Sequence, residues 1–220
     1  MINNNQLPLT IVIITDRNDD RFINALRSSQ IASHVLILDN NSNNDWNRLT
    51  KKYQFSIVSH EKEIFNFAKT RNKLLKRVKT KWVMFLDSDE SLGSSTKEIK
   101  SNTKSIEQVI NNDLFDGVTI TRKDVFLGKS LKFGEAGNIK ITRLFKVEKG
   151  KFASNVHEVA RINGKLGESD IIVSHFSHND VSSFLKKISK YSKMASDNER
   201  SSKLTNFLKM IFYPILKFLQ

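Results

Sequence analysis

Three carboxylates stand within four residues of the chain, at Asp87, Asp89 and Glu90. They directly follow the apolar run at residues 82–86, which predicts a buried strand. Carboxylates this close repel one another unless a cation neutralises them, and oxygen ligands suit Mg²⁺ or Mn²⁺. The pattern therefore predicts a metal site that binds a diphosphate. The alternative is a solvated acidic turn that precedes the next helix.

A fourth acid, Asp39, follows a second apolar run at residues 35–38, and Arg71 lies in a helical pattern further along the chain. Ligands of open parallel sheets bind outside the carboxyl ends of the strands. Two strand-end acids and a basic helix residue could contact the base, ribose and diphosphate of a nucleotide there. Taken alone, Asp39 is equally well explained as a turn aspartate.

Alternating strand and helix patterns occupy the first ninety residues and must position these side chains. Strands are predicted at 9–15, 35–38, 55–58 and 82–86, and helices at 21–28, around 46–49 and at 64–78. Such an order predicts a largely parallel sheet covered by helices, with right-handed crossovers.

The second half of the chain has a less regular pattern. Ser95 and Glu98 form the signature of a capping box that opens a helix reaching about residue 112. Asn163-Gly164 is typical of a tight hairpin turn. Further strands are predicted at 117–125, 139–147, 159–162 and 171–175, and a helix at 182–197.

Several short motifs, each weak alone, combine into a family resemblance. They are Ile11-Val-Ile-Ile-Thr15, the strand-end Asp39, Ala68-x-x-Arg71-Asn72 and Phe85-Leu-Asp-Ser-Asp-Glu90. Together they resemble glycosyltransferase family 2, which has the GT-A fold. Further motifs resemble the branch that adds glucose or related sugars to the lipopolysaccharide inner core: Arg122-Lys123, Phe126-Leu-Gly-Lys129, Arg143-Leu-Phe145, Val156-His-Glu158 and His175-Phe176. The resemblance covers about residues 8–200.

The resemblance implies an α/β fold of the GT-A (Rossmann-like) type, with a mostly parallel sheet flanked by helices. It implies inverting transfer of a sugar from a nucleotide-diphosphate sugar, expected to be a UDP-hexose, with Mg²⁺ or Mn²⁺. Its motifs place the nucleotide sugar at Thr15, Asp39, Arg71 and Asp87, and the metal at Asp89 and His175.

Glu158 occupies the place of the base that activates the acceptor hydroxyl, although a surface glutamate in a hairpin is the alternative. His175 is about as well explained as a core or turn histidine, and His157 stays open as a metal ligand. The tract at 134–138 departs from the expected Gly-Gly-aromatic. The acceptor is therefore expected only as a lipopolysaccharide core, lipid-linked or other cell-envelope glycan.

The chain carries a net charge of +13 and has a pI near 9.8, so its partners are expected to be anionic. The absence of cysteine excludes a disulfide scaffold, a thiolate zinc site and a cysteine nucleophile. A nucleic-acid-binding protein without catalytic activity is the alternative class, but no nucleic-acid motif is recognised. A nucleotidyltransferase is less favoured, because no glycine-rich first loop with basic residues is present.

The last forty residues carry eight Lys or Arg against two acids. Residues 204–219 predict a mostly apolar helix, kinked at Pro214, with a polar stripe at Thr205, Lys209, Tyr213 and Lys217. Such a helix suits an anionic membrane surface, and the alternative is a helix packed on the domain.

The predicted organisation is a GT-A domain at 1–200, with a nucleotide-binding half at 1–90 and an acceptor half at 91–180, followed by the amphipathic tail at 201–220. Because residues 1–8 show no signal peptide and no apolar run spans a bilayer, we expect a cytoplasmic protein on the inner face of the cell membrane.

Overall fold

The computed structural model of the chain describes residues 6–59, 64, 66–131, 137–153, 159–176, 181, 182, 185, 189 and 203–219. The strands within these ranges are β1 (Leu7–Thr15), β2 (Ala32–Asp39), β3 (Ser56–Ser59), β4 (Trp82–Asp87), β5 (Glu90–Ser91), β6 (Gly117–Phe126), β7 (Lys129–Ser130), β8 (Ile139–Lys146), β9 (Gly150–Ala153), β10 (Val159–Ile162) and β11 (Leu166–His175). The helices are α1 (Asp20–Ser28), α2 (Trp46–Thr50), α3 (Phe67–Leu75), α4 (Thr96–Asn112) and α5 (Lys203–Leu219), with a 3₁₀ turn at Ser29–Ile31.

The first half of the chain builds the parallel part of the sheet, in the order β3-β2-β1-β4. Its central strands are almost continuously buried because α1 and α3 supply apolar side chains on opposite faces, and these form two clusters. Phe22 and Leu26 pack in one cluster, and Leu74 and Leu75 pack in the other.

The second half extends the same sheet. β8 inserts antiparallel between β4 and β6, while β11 runs parallel to β6 and pairs antiparallel with β5. The short strand β7 pairs with β6, and β9 and β10 form a separate hairpin. The predicted fold class, a sheet flanked by helices, is confirmed.

Local signals explain where several elements begin and end. α4 starts with the predicted capping box, in which Ser95 and Glu98 exchange side-chain and backbone hydrogen bonds. α3 is shorter than predicted and starts after Asn66, whose side chain accepts a hydrogen bond from the backbone amide of Lys69.

The predicted Asn163-Gly164 hairpin is wrong. The residues connect β10 to β11, which lie in different sheets, and Gly164 adopts a φ of 150°. A Cβ at Gly164 would meet the Asp116 carboxylate, so glycine is needed for this close approach rather than for strand pairing. Most of the helix predicted at 182–197 lies outside the described residues.

α5 confirms the predicted C-terminal helix, with Pro214 inside it. Its described side chains, at residues 207–214 and 216, are all exposed. They include Phe207, Met210, Phe212 and Leu216. Among the described helices, none is both long and apolar enough to cross a membrane.

Candidate active site

The predicted nucleotide-binding acids lie at one edge of the sheet. Thr15 ends β1, is buried, and pairs with Asp39 at the end of β2. On the other side of β1, Ile14 pairs with Asp87, the last residue of β4. Because neighbouring strands are about 4.8 Å apart, about 10 Å separates Asp39 from Asp87 across β1. This is the edge where open α/β sheets bind ligands.

Two arginines hold the Asp87 carboxylate. Arg71 Nη2 lies 2.5 Å from Asp87 Oδ1, and Arg143 Nη2 lies 2.7 Å from Asp87 Oδ2. Burial disfavours the charged carboxylate, but Arg143 and Arg71 outweigh burial and lower the pKa of Asp87. The two arginines thus neutralise the Asp87 carboxylate. The sequence pattern predicts a metal cation in this role.

The two arginines reach Asp87 from different elements. Arg71 lies on α3, is buried, and its guanidinium sits 5.4 Å from the centre of the Phe152 ring. Asn72 exchanges two hydrogen bonds of 2.9 Å with the backbone of Phe152, which fixes the β9–β10 hairpin against α3. Arg143 lies at a one-residue bulge, because Val118 pairs with Leu144 whereas Thr119 pairs with Thr142.

Glu90 is buried beneath this cluster. Its Oε2 accepts a hydrogen bond of 2.9 Å from the Asp87 backbone amide, and its Oε1 has no hydrogen-bond partner among the described residues. Burial, followed by repulsion from the Asp87 carboxylate, raises the pKa of Glu90. The third acid of the motif therefore supports the turn that carries Asp87 rather than facing a ligand.

Asp39 organises the asparagine-rich loop that follows β2. Its Oδ1 accepts hydrogen bonds from the Ser42 amide at 2.9 Å and the Ser42 hydroxyl at 2.5 Å, and its Oδ2 accepts one from Trp46 Nε1 at 3.0 Å. Asn41 and Asn43 adopt positive φ values of 61° and 56°, which asparagine tolerates better than most residues. Asp39 is therefore a turn aspartate, as one of the two sequence interpretations predicts. The same hydrogen bonds fix its carboxylate at the sheet edge.

Asp89 and His175 lie close together further along the same edge, where β11 is separated from β4 by β8 and β6. His175 ends β11, and its Nε2 lies 3.7 Å from Asp89 Oδ1, while Arg17 Nη2 lies 3.4 Å from Asp89 Oδ2. The Phe176 amide donates a 2.8 Å hydrogen bond to the Asp89 carbonyl and so fixes the backbone of the motif against the end of β11.

The donor atoms present fit a divalent cation that is completed by a substrate. Within the described ranges, no group of three or more His, Asp or Glu side chains forms an all-protein metal site. However, Asp89 Oδ1 and His175 Nε2, at 3.7 Å, are close enough for one cation to contact both at about 2.1 Å. Mg²⁺ is commonly held by one or two carboxylates together with substrate phosphates. Asp87 is not a comparable ligand, since both its oxygens bind arginines.

The structure adds residues to which the sequence had assigned no role. Arg143 stands in a motif of the resemblance, but only the β8 bulge brings it to Asp87. Arg17 and Asp124 reach the site through the loop after β1 and through β6, and no spacing in the sequence signals either contact. Glu158 and His157 lie outside the described residues, as does most of the tract at 134–138.

Part of the chain is similar in sequence to a known protein family. Residues 7–98 match the family model described as Glycosyl transferase family 2, and this range includes both Asp39 and Asp89. No curated protein is detectably similar to the chain in sequence.

One of the solved structures compared with the chain supports a similar fold. Residues 1–349 of S. aureus TarS, in a crystal structure with UDP-GlcNAc, align with a TM-score of 0.53 and 13% identity over 79% of this chain and 60% of TarS. Another crystal structure of TarS 1–349 aligns with a TM-score of 0.46 and 14% identity over 78% of this chain and 61% of that one. The chain thus spans about 60% of the TarS fragment, and the fold matches the GT-A class.

Proposed function

We propose that this chain is a glycosyltransferase that moves a sugar from a nucleotide-diphosphate sugar to a cell-envelope glycan. The observation that carries the proposal is the pairing of Asp89 with His175 at the same sheet edge as Asp39 and Asp87. The match of residues 7–98 to the family model supports it. A UDP-hexose is the proposed donor, because the motifs of this chain resemble the branch that transfers such sugars.

The nucleotide half of the site binds and orients the donor. We propose that Asp39, fixed by Ser42 and Trp46, accepts hydrogen bonds from the base or ribose. Thr15 and Arg71 border the same edge, and Asp87 is held in place to contact the ribose. Because these groups are already hydrogen-bonded in the protein, the donor would meet a site that needs little reorganisation.

Asp89 and His175 would hold Mg²⁺ or Mn²⁺ beside the donor diphosphate. A bound divalent cation supplies charge neutralisation to the departing nucleoside diphosphate. The chain's own Arg17, 3.4 Å from Asp89, adds positive charge at the same place. The site thus combines a carboxylate and an imidazole as ligands for a cation with a nearby arginine suited to phosphate oxygens.

For the acceptor we propose that Glu158 takes the proton of the attacking hydroxyl, with inversion at the anomeric carbon. Glu158 directly precedes β10, and the β9–β10 hairpin is bound to α3 through Asn72 and Phe152, next to Arg71. This connection supports a base near the donor site, worth about 10²–10⁴ in rate. The lipopolysaccharide inner core is the proposed acceptor class, with other lipid-linked glycans as the alternative.

A screen of nucleotide sugars for Mn²⁺-dependent hydrolysis or transfer tests the enzymatic proposal. The expected result is turnover with one donor that falls at least about 100-fold in Asp89→Asn, since cation-based charge stabilisation is worth several kcal/mol. Asp170→Asn, which removes an exposed carboxylate on β11 outside the proposed site, is the matched control and should keep full turnover. Normal turnover in Asp89→Asn would contradict the mechanism.

We also propose that α5 lies on an anionic membrane surface, at the inner face of the cell membrane. Phe207, Met210, Phe212 and Leu216 are between 54% and 68% exposed, and Lys209 stands among them. The net charge of the last forty residues favours anionic headgroups. This explains the basic excess better than nucleic acid does, because the charge accompanies exposed apolar side chains.

Flotation with phosphatidylglycerol vesicles tests the membrane proposal. Wild-type protein should float with these vesicles and much less with phosphatidylcholine. Phe212→Glu with Leu216→Glu should abolish flotation, while Leu114→Glu, at an equally exposed leucine elsewhere, should not. Salt-sensitive binding to RNA or DNA without vesicle binding would favour the nucleic-acid alternative instead.

A further inference from the structure

The His175 imidazole is held between two carboxylates. Its Nδ1 lies 2.8 Å from Asp124 Oδ1, and its Nε2, on the opposite side of the ring, lies 3.7 Å from Asp89 Oδ1. In the sheet, His175 pairs with Asp124 across β11 and β6, and with Glu90 across β11 and β5. The strand register therefore places Asp124 beside the ring, and on the other side it places Glu90, the residue after Asp89, opposite His175.

The His175 imidazole and both neighbouring carboxylates are largely shielded from water. The exposed fractions are 16% for Asp124, 17% for His175 and 19% for Asp89. Arg122 Nε lies 3.4 Å from the same Asp124 oxygen and balances its charge. The Asp124 carboxylate is therefore held between the imidazole and a guanidinium.

The hydrogen bond between Asp124 and His175 selects one form of the neutral ring. A carboxylate can only accept a hydrogen bond, so Nδ1 must carry the proton. The lone pair then lies on Nε2, which faces Asp89. An imidazole fixed in this way presents a ligand atom, not a proton, to a cation that Asp89 contacts.

We propose that Asp124 is a positioning residue that fixes the tautomer and orientation of His175 so that Nε2 and Asp89 bind one divalent cation. The inference rests on the proposed function, because it concerns the cation of that site. Carboxylates behind metal-binding histidines contribute about 10–100-fold to metal affinity. The alternative is a structural role, in which Asp124 only anchors the end of β11.

The tautomer can be read in the metal-free protein, which separates this inference from enzymatic activity. Two-bond ¹H–¹⁵N correlation spectra of ¹⁵N-histidine protein, at a pH where the ring is neutral, should show His175 protonated on Nδ1. His175→Gln assigns the signal. In Asp124→Ala the preference should disappear. A wild-type ring protonated on Nε2 would overturn the inference.

Mn²⁺ binding measured by titration calorimetry in the presence of UDP gives the second readout. Asp124→Ala and Asp124→Asn should both weaken Mn²⁺ binding by about 10–100-fold, since alanine removes the acceptor and the amide can present a donor to Nδ1. Asp124→Asn preserves the shape of the side chain, so it keeps the test valid if the alanine variant folds poorly. Asp170→Asn is the control and should bind as wild type.

The outcomes separate the two proposals. Unchanged Mn²⁺ affinity in both Asp124 variants, with weakened binding in Asp89→Asn, overturns the role of Asp124 and leaves the proposed function in place. Unchanged affinity in Asp89→Asn as well overturns the metal site and this inference with it. Weakened Mn²⁺ binding together with a lost tautomer preference supports the inference, because an Asp124 that only anchored the end of β11 would leave the Mn²⁺ affinity unchanged.

Discussion

Arg143 Nη2 lies 2.7 Å from Asp87 Oδ2, and this contact joins the two halves of the sheet at the candidate site. Asp87 ends β4, the last strand of the parallel half, whereas Arg143 lies on the antiparallel strand β8. Arg71, from α3, holds the other oxygen of the same carboxylate. The position of Asp87 therefore depends on elements that are about seventy residues apart in the chain.

Arg143→Met should destabilise the protein and weaken nucleotide binding. The substitution removes a charged hydrogen bond and leaves Asp87, 33% exposed, with a single arginine. Hydrogen bonds to charged groups contribute about 1.5–3 kcal/mol, and the partial exposure of Asp87 places the expected loss near the lower end. Urea unfolding and calorimetry with UDP measure the two effects. Arg161→Met, at an exposed arginine on β10, is the matched control and should change neither.

A double-mutant cycle with Asp87→Asn tests whether the Arg143 effect passes through Asp87. If the two single changes in unfolding free energy simply add, the contact contributes nothing to stability, and the proposed coupling of the two sheet halves is wrong. A coupling of about 1 kcal/mol or more is expected.

Asp39→Asn should lower the affinity for the nucleotide more than Trp46→Phe does. The aspartate accepts hydrogen bonds from Ser42 and from Trp46 Nε1, so an amide in its place must turn its NH₂ toward a donor on one side. The tryptophan change removes one hydrogen bond and leaves the carboxylate intact. Calorimetry with UDP compares the two variants, and equal losses of affinity would show that Asp39 acts only through the loop.

The sequence predicts the parallel half of the fold well because its signals are local. Buried strands appear as apolar runs, and the acids that follow them, Asp39 and Asp87, fall at the same sheet edge once the strands are parallel. The contacts of Arg143 and Asp124 depend instead on long-range register. A bulge in β8 and the pairing of β6 with β11 decide where these side chains lie, and neither has a local pattern.

Asp116 should stabilise the folded protein at neutral pH, and this stabilisation should disappear in acid. The Lys165 backbone amide at 2.9 Å and the Lys146 ammonium at 3.0 Å lower the pKa of Asp116 from its ordinary value of 3.8. Because the folded pKa is depressed, the contribution is complete above the unfolded pKa and disappears as pH falls through the folded one. Asp116→Asn should therefore lower Tm at pH 7, with the difference from wild type shrinking below about pH 4.

Thermal melts of the Asp116 variant between pH 7 and pH 2.5 measure this difference, with Asp170→Asn as the exposed control. A Tm difference that stays constant across the range would mean that the charge of Asp116 is irrelevant, and that only the geometry of the turn near Gly164 matters.

Asn102→Ala should destabilise the fold, since Asn102 joins α4 to the two segments that carry Asp89 and His175. Its Nδ2 donates to the carbonyls of Leu92 and Ile172 at 2.8 Å each, and its Oδ1 accepts from the Ile172 amide at 2.9 Å. The side chain is buried, so these backbone groups would lose their partners at a cost of about 2–5 kcal/mol in unfolding free energy.

The matched control for Asn102→Ala is Asn111→Ala, which makes the same substitution at an exposed position of the same helix. Alanine has a higher helix propensity than asparagine, so any gain in stability from propensity is similar in the two variants. The difference between their unfolding free energies therefore reports the buried hydrogen bonds. Urea unfolding should show the control within about 0.5 kcal/mol of wild type. If both variants have the same stability, Asn102 does not hold β11 against α4. The end of that strand, with His175, would then be held by its pairing with β6 and β5 and by the hydrogen bond between His175 and Asp124.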